Sequence, residues 1–152
     1  MLAVLAVLGP LGAADAAAQR PVQAPLLNAA GESSGCTVRI GAAYQFMAND
    51  GLREGSGITL ICGSAWTRVR VKASQVEVLP DGTVPPNPLV DLLLSPGNIQ
   101  PTITIRGNWL CSSTPGTHEY VFRAQAKVST GRNDPNIYVA NVERRASFTC
   151  PG

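Results

Sequence analysis

The clearest structural signal in the chain is Thr67-Arg68-Val69-Arg70-Val71-Lys72-Ala73, where small or apolar residues alternate with basic ones. A period of two is typical of an antiparallel strand that has one buried face and one solvated face. The sequence therefore predicts a strand within 66–78, with Arg68, Arg70 and Lys72 together on its solvated face.

Other segments with strand character lie on both sides of this one. They are separated by stretches rich in Gly and Pro, and they cover 37–47, 58–62, 102–111, 120–128, 137–142 and 146–150. Short strands punctuated in this way are typical of an all-β sandwich. We therefore expect one domain over 36–152, built as a single antiparallel β-sandwich. The glycine-rich run 51–57 is interpreted as a hairpin loop, and the prolines between Pro80 and Pro101 predict a long irregular loop.

One short run is similar to a feature of a known architecture. Gly116-Thr117-His118-Glu119-Tyr120 resembles the tyrosine-corner approach to a late strand of immunoglobulin domains. The resemblance implies an immunoglobulin-like arrangement of the sandwich. Phe122 stands where those domains place their second cysteine, so we assign the chain to no family.

The N-terminal residues have the composition of an export signal. Residues 2–13 read LAVLAVLGPLGA, an uncharged run too short to span a bilayer. Ala16-Ala17-Ala18 fits the small-residue cleavage rule, with the cut before Gln19, and Ala14-Asp15-Ala16 is the second choice. We expect a signal peptide over 1–18, a flexible N-terminal segment over 19–35, and a secreted, extracellular mature protein with no membrane span.

The four cysteines fit an oxidising compartment. Their even number, and the absence of a C-x-x-C pair from the sequence, favour two disulfides over a zinc site or a redox motif of the thioredoxin kind. Four cysteines allow three pairings. We favour Cys36–Cys62 and Cys111–Cys150, because each pair then flanks a probable antiparallel unit.

Composition excludes several functional classes. The 152 residues are 45% hydrophobic and 14% charged, which does not fit a coiled coil or an acidic disordered tail. Removing residues 1–18 takes away one acidic residue, Asp15, and raises the formal net charge from +2 to +3. Such a mild charge is not that of a nucleic-acid binder, so we expect no nucleic-acid partner.

The sequence offers little support for catalysis. His118 is the sole histidine, and it is interpreted as an exposed turn residue, although Ser112 and Ser113 are near it in the sequence. The acidic residues fall in or beside predicted turns, with no spacing that singles out a pair; they include Asp50, Glu54, Asp81, Asp91, Glu119, Asp134 and Glu143. We therefore expect no enzymatic activity, no cofactor and no metal.

The best positive feature is the basic row on the predicted strand 66–78. If Arg123 and Lys127 lie on a neighbouring strand and face the same way, five cations line one surface that attracts an anionic partner. That partner would be an acidic envelope polymer or an acidic patch on another extracellular protein. The alternative is an ordinary solvated face, offset by acidic residues such as Glu143.

Two loops are further candidates for contact with a partner. Leu92, Leu93 and Leu94 lie inside the proline-rich loop, where they either cover an end of the sandwich or anchor another protein. The run from Cys111 to Gly116 starts at a cysteine and suits a rigid inhibitory loop. The expected function is thus binding or structural, and the alternative is an inhibitor of an extracellular hydrolase.

Overall fold

The computed structural model describes residues 20–64, 66, 68–86, 90–92, 102–129 and 136–152. The expected signal peptide over 1–18 lies outside these residues. The described part of the chain forms β1 (Val22–Leu27), β2 (Ser33–Ala48), β3 (Gly51–Cys62), β4 (Arg68–Glu77), β5 (Val90–Leu92), β6 (Thr102–Leu110), β7 (Gly116–Ser129) and β8 (Tyr138–Cys150). A search of the same residues finds no helix that is long and apolar enough to cross a membrane.

The described strands join in one antiparallel sheet, in the order β5-β4-β7-β8-β1-β2-β3-β6. The sheet curls until β4 approaches β6, so that it is nearly closed into a barrel. The all-β, antiparallel expectation is confirmed. The two-layer, immunoglobulin-like sandwich is not confirmed, because each described strand is hydrogen-bonded to the next within a single continuous sheet.

The segment 19–35, expected to be a flexible leader, contains ordered structure. Residues Val22–Leu27 form β1, which lies between β2 and β8, and the side chain of Leu26 is fully buried. Pro25 does not prevent the pairing, since the register between β1 and β2 shifts between Pro25 and Leu27. Such an irregularity accommodates a residue that has no backbone N–H.

The predicted hairpin loop over 51–57 is also part of a strand. After the two-residue turn at Asn49-Asp50, β3 runs without interruption from Gly51 and pairs with β2 on one side and β6 on the other. Gly55 leaves room for the ring of Tyr44, whose nearest atom lies 2.8 Å from the position that a Cβ would occupy. Here glycine permits close packing within the strand and does not mark a turn.

Both predicted disulfides are confirmed. Cys36 and Cys62 are directly opposite each other on β2 and β3, with a Cα–Cα distance of 4.0 Å. Cys111 and Cys150 join the end of β6 to the end of β8, with a Cα–Cα distance of 5.8 Å.

The barrel interior changes character along its length. Most of it is an apolar core that includes Leu26, Val38, Ile40, Ile58, Leu60, Val69, Val71, Ala124, Ala126, Val128, Ala140 and Val142. Each large side chain removed from water in this way contributes about 1.5–3 kcal/mol. At the other end, Tyr120, Phe122 and Cys150 form a second buried cluster. Polar side chains lie beside that second cluster.

A bulge in β2 contributes to this change. The register between β2 and β3 shifts between Ile40 and Ala43. The shift turns Ala43 and Gln45 to the side of Ser56 and Glu54, which are buried. The carbonyl of Gly41, exposed by the bulge, accepts hydrogen bonds from the guanidinium of Arg144 and the hydroxyl of Ser56.

Candidate functional site

The sheet register places the predicted basic residues on one outer surface. We call Arg68, Arg70, Lys72, Arg123 and Lys127 the basic face. Arg70 on β4 is directly opposite Lys127 on β7, and Lys72 is opposite Gln125. On β4 the pattern of exposure alternates, with Arg68 and Arg70 exposed and Val69 and Val71 buried.

Acidic residues adjoin part of the basic face. The side chain of Arg123 pairs with that of Glu143 on β8, at 3.0 Å between Nε and Oε2. Lys72 is opposite Asp91 on β5 in the strand register. A depression of about 220 Å³ lies beside the Arg123–Glu143 pair. It is lined by Arg123, Ala124, Asn141, Val142 and Glu143. It is smaller than the 300 Å³ or more of a usual small-molecule site.

The two predicted loops are described to different extents. Leu92 belongs to the short strand β5 and is opposite Val71, whereas Leu93 and Leu94 lie outside the described residues. The segment from Cys111 to Gly116 is fully described and is exposed from Ser113 onward. The backbone N–H of Ser112 donates to the hydroxyl of Tyr120 at 3.0 Å, which holds the start of this loop.

His118, expected to be an exposed turn residue, is a partly buried residue of β7. Its side chain is 14% exposed and bridges two elements. Nδ1 lies 2.5 Å from a carboxyl oxygen of Glu77, and Nε2 lies 2.8 Å from the carbonyl of Thr114. No hydrogen bond joins the ring to Ser112 or Ser113 in the described structure, and both ring nitrogens already have partners.

The least expected feature is a polar cluster at the end of the barrel interior. We define the Glu54 cluster as Glu54, Gln45, Gln75 and Tyr120. Gln45 is opposite Glu54 on the adjacent strand, while Gln75 and Tyr120 reach it from β4 and β7 across the interior. The amide of Gln75 donates to the carboxyl group of Glu54. The amide of Gln45 donates to the carbonyl of Thr149, and the hydroxyl of Tyr120 lies 3.3 Å from Sγ of Cys150; both groups are near enough to Glu54 to favour its charged form.

Burial controls the protonation of Glu54, whose side chain has no solvent exposure. Loss of solvation raises the pKa of Glu54 from 4.5 to about 7, although its hydrogen bonds and the charge of His118 act in the opposite direction. Burial also raises the pKa of Tyr120, helped by the neighbouring carboxyl groups. Near neutral pH the carboxyl group of Glu54 therefore exists in both forms.

Glu54 also touches a disulfide. Its Oε1 lies 3.1 Å from Sγ of Cys111 and 3.6 Å from Sγ of Cys150. These atoms are close enough to hold a metal ion in the described structure. However, the two sulfurs are bonded to each other. In the oxidised protein, the carboxyl group of Glu54 is therefore the one usual metal ligand among these three residues.

The sequence does not single out the Glu54 cluster, because the glycines at 51–57 predict a loop around Glu54. One signal was present: Glu54 is in phase with Ser56, Ile58 and Leu60, which continue as the buried positions of β3. Reading that alternation back through the glycines predicts an inward Glu54. Its contacts with Gln75 and Tyr120 come from distant strands, and no local pattern predicts them.

Comparisons with protein-family models, with curated proteins and with solved structures give no match for this chain.

Proposed function

We propose that this protein is a secreted, non-catalytic protein that binds an anionic polymer of the cell envelope through its basic face. The observation that carries the proposal is the register of β4 and β7, which places Arg70 directly opposite Lys127. Three further cations are on the same surface. A surface lined by several cations raises the local concentration of a polyanion and favours its association.

The experiment compares two variants that lose the same charge from different surfaces. Arg68→Gln with Lys127→Gln removes two exposed cations from the basic face. Arg39→Gln with Arg106→Gln removes two cations from β2 and β6. Cosedimentation with isolated envelope is measured at several salt concentrations, and a melting curve of each variant checks folding.

We expect binding by the first variant to fall several-fold and binding by the second to change little. Binding by the unaltered protein should weaken steeply with salt, because exposed charges are screened over about 8–10 Å near physiological ionic strength. Equal losses in the two variants would mean that overall charge attracts the polymer and would contradict a specific face.

A second candidate function is inhibition of an extracellular hydrolase by the segment from Cys111 to Gly116. This exposed loop is held by the Cys111–Cys150 disulfide, by the Tyr120 hydroxyl and by the bond from His118 to the carbonyl of Thr114. A loop fixed at several points loses little entropy on binding. Stoichiometric inhibition of a secreted serine protease, abolished by a substitution at Thr114, would favour this role over polymer binding.

A further inference from the structure

The two disulfides lie in different chemical surroundings. Cys36 and Cys62 belong to the apolar core cluster. Cys111 and Cys150 instead contact two groups that carry a proton. The carboxyl group of Glu54 is within 3.6 Å of both sulfurs, and the hydroxyl of Tyr120 is 3.3 Å from Sγ of Cys150.

A disulfide sulfur carries no hydrogen, so the contact with Glu54 is not a bond donated by cysteine. A protonated carboxyl group donates to sulfur, which is a weak acceptor. If Glu54 is ionised, its carboxylate receives no hydrogen bond from either sulfur. The contact between Glu54 and the two sulfurs thus adds little to a purely structural disulfide. On reduction, however, it places a proton donor beside the sulfur that becomes a thiolate.

We propose that Cys111–Cys150 is a redox-active disulfide that exchanges with external dithiols, and that Glu54 gives and takes the proton of the departing sulfur. The sulfur attacked from outside is that of Cys111, which is half-buried at the start of an exposed loop, whereas Cys150 is 1% exposed. The proposal does not depend on polymer binding, since the basic face lies on the outer surface of β4 and β7.

The exchange proceeds through a mixed disulfide on Cys111. A thiolate of the dithiol attacks Sγ of Cys111, the Cys111–Cys150 bond breaks, and its electron pair leaves on Sγ of Cys150. Glu54 transfers its proton to that sulfur and becomes a carboxylate. The second thiolate of the dithiol then attacks the dithiol's own sulfur in the mixed disulfide, which releases Cys111 as a thiolate. The protein gains two electrons, the dithiol is oxidised to a disulfide, and water restores the remaining protons.

Proton donation matters here because the departing sulfur is buried. An uncompensated thiolate in a poorly solvated interior is costly. The groups that face Glu54 are Gln45 on β2, Gln75 on β4, Trp109 on β6, and His118 and Tyr120 on β7. Glu77 on β4 pairs with His118. Arg144 on β8 is also buried, and it donates to the carbonyls of Gly41 and Arg20.

The test measures the reduction of both disulfides in the same molecule. The whole protein is treated with dithiothreitol between pH 5.5 and 8.5, quenched by alkylation, and analysed by peptide mass spectrometry. The rate for Cys111–Cys150 is divided by the rate for Cys36–Cys62, which cancels the ionisation of the reductant. Variants Glu54→Gln and Glu143→Gln are compared, since Glu143 is on the outer surface and pairs with Arg123.

In the unaltered protein and in Glu143→Gln, we expect the ratio of rates to fall as the pH rises through about 7. In Glu54→Gln the ratio should be independent of pH and, at pH 6, lower by about tenfold or more, as expected for the loss of a general acid. A ratio that does not change with pH in the unaltered protein would overturn the proposal, even if Glu54→Gln fails to fold. An unchanged ratio in folded Glu54→Gln would do so as well.

Discussion

The carboxyl group of Glu54 makes the stability of the barrel depend on pH. Its pKa is 4.5 when solvated and about 7 in the folded protein. A raised folded pKa means that the favourable contribution is fully present below about pH 4.5 and is lost as the pH rises through 7. The full difference corresponds to roughly 3–4 kcal/mol. This interior therefore accommodates a neutral acid better than a charged one.

We predict that Glu54→Gln removes this dependence. Between pH 5 and pH 8.5, the free energy of unfolding of the unaltered protein should fall by roughly 2–3 kcal/mol more than that of the variant. Asp50 does not interfere, because its bond to Arg53 lowers its pKa, and the same direction applies to Asp81 through Thr83. Urea unfolding of both proteins across this range measures the difference. Parallel pH profiles would contradict a buried, neutral Glu54.

On the scale of a strand, Gly107 and Trp109 form a packed pair in β6. The indole of Trp109 folds back over Gly107, so that a Cβ at Gly107 would lie 2.1 Å from its ring. The indole packs edge-to-face against the ring of Phe122, with 5.7 Å between the ring centroids. Any side chain at position 107 must therefore displace an indole that contacts both core clusters.

We predict that Gly107→Ala lowers the free energy of unfolding by about 1–3 kcal/mol, the usual cost of overpacking. Gly57→Ala is the matched control, because Gly57 lies on the paired strand β3 and a Cβ there would meet nothing within 4 Å. Chemical unfolding of the two variants gives the comparison. Similar losses in both would mean that the indole of Trp109 does not set the cost, because the loss of unfolded-chain entropy on Gly→Ala substitution is itself stabilising.

The strands that could be predicted are those with an uninterrupted local pattern. The alternation around Val69 and Val71, and that around Ala124 and Ala126, predicted β4 and β7 correctly. The start of β3 could not be predicted as easily, because Gly51, Gly55 and Gly57 resemble a loop until the ring of Tyr44 is in place. For β1, burial comes from its position between β2 and the distant strand β8, and its own residues show no local periodicity.

For the whole molecule, the pairing of cysteines was predictable while the closure of the sheet was not. The order of strands depends on which edges meet, and β1, the first strand, inserts between its sequence neighbour β2 and the last strand, β8. Neither the barrel nor the Glu54 cluster inside it follows from local pattern alone. The basic residues did fall on one outer surface, since a period of two and antiparallel pairing determine that geometry.

We predict that the two disulfides stabilise the molecule by comparable amounts. Their cysteines are separated by 26 and 39 residues, so the chain-entropy model gives about 3–4 kcal/mol for each. Replacing either pair by alanine should lower the thermal midpoint markedly, and replacing both should prevent stable folding. Calorimetry of the three variants measures this. An unchanged thermal midpoint after the loss of either disulfide would contradict this stabilising role.

The bulge at Gly41 and Ala42 has a consequence for insertions and deletions. Gly41 and Ala42 together oppose Gly57, so deleting one of them would restore strict alternation and leave Ala43 opposite Ser56 and Gln45 opposite Glu54. A deletion just after Ala43 would instead shift the alternation by one, which exchanges the two faces of β2 beyond that point. The inward Gln45 would then be lost from the side of Glu54. A single-codon deletion is thus harmless to the chemistry of this end of the protein at the bulge and rewrites it two residues later, so the length of β2 carries as much information as its residues.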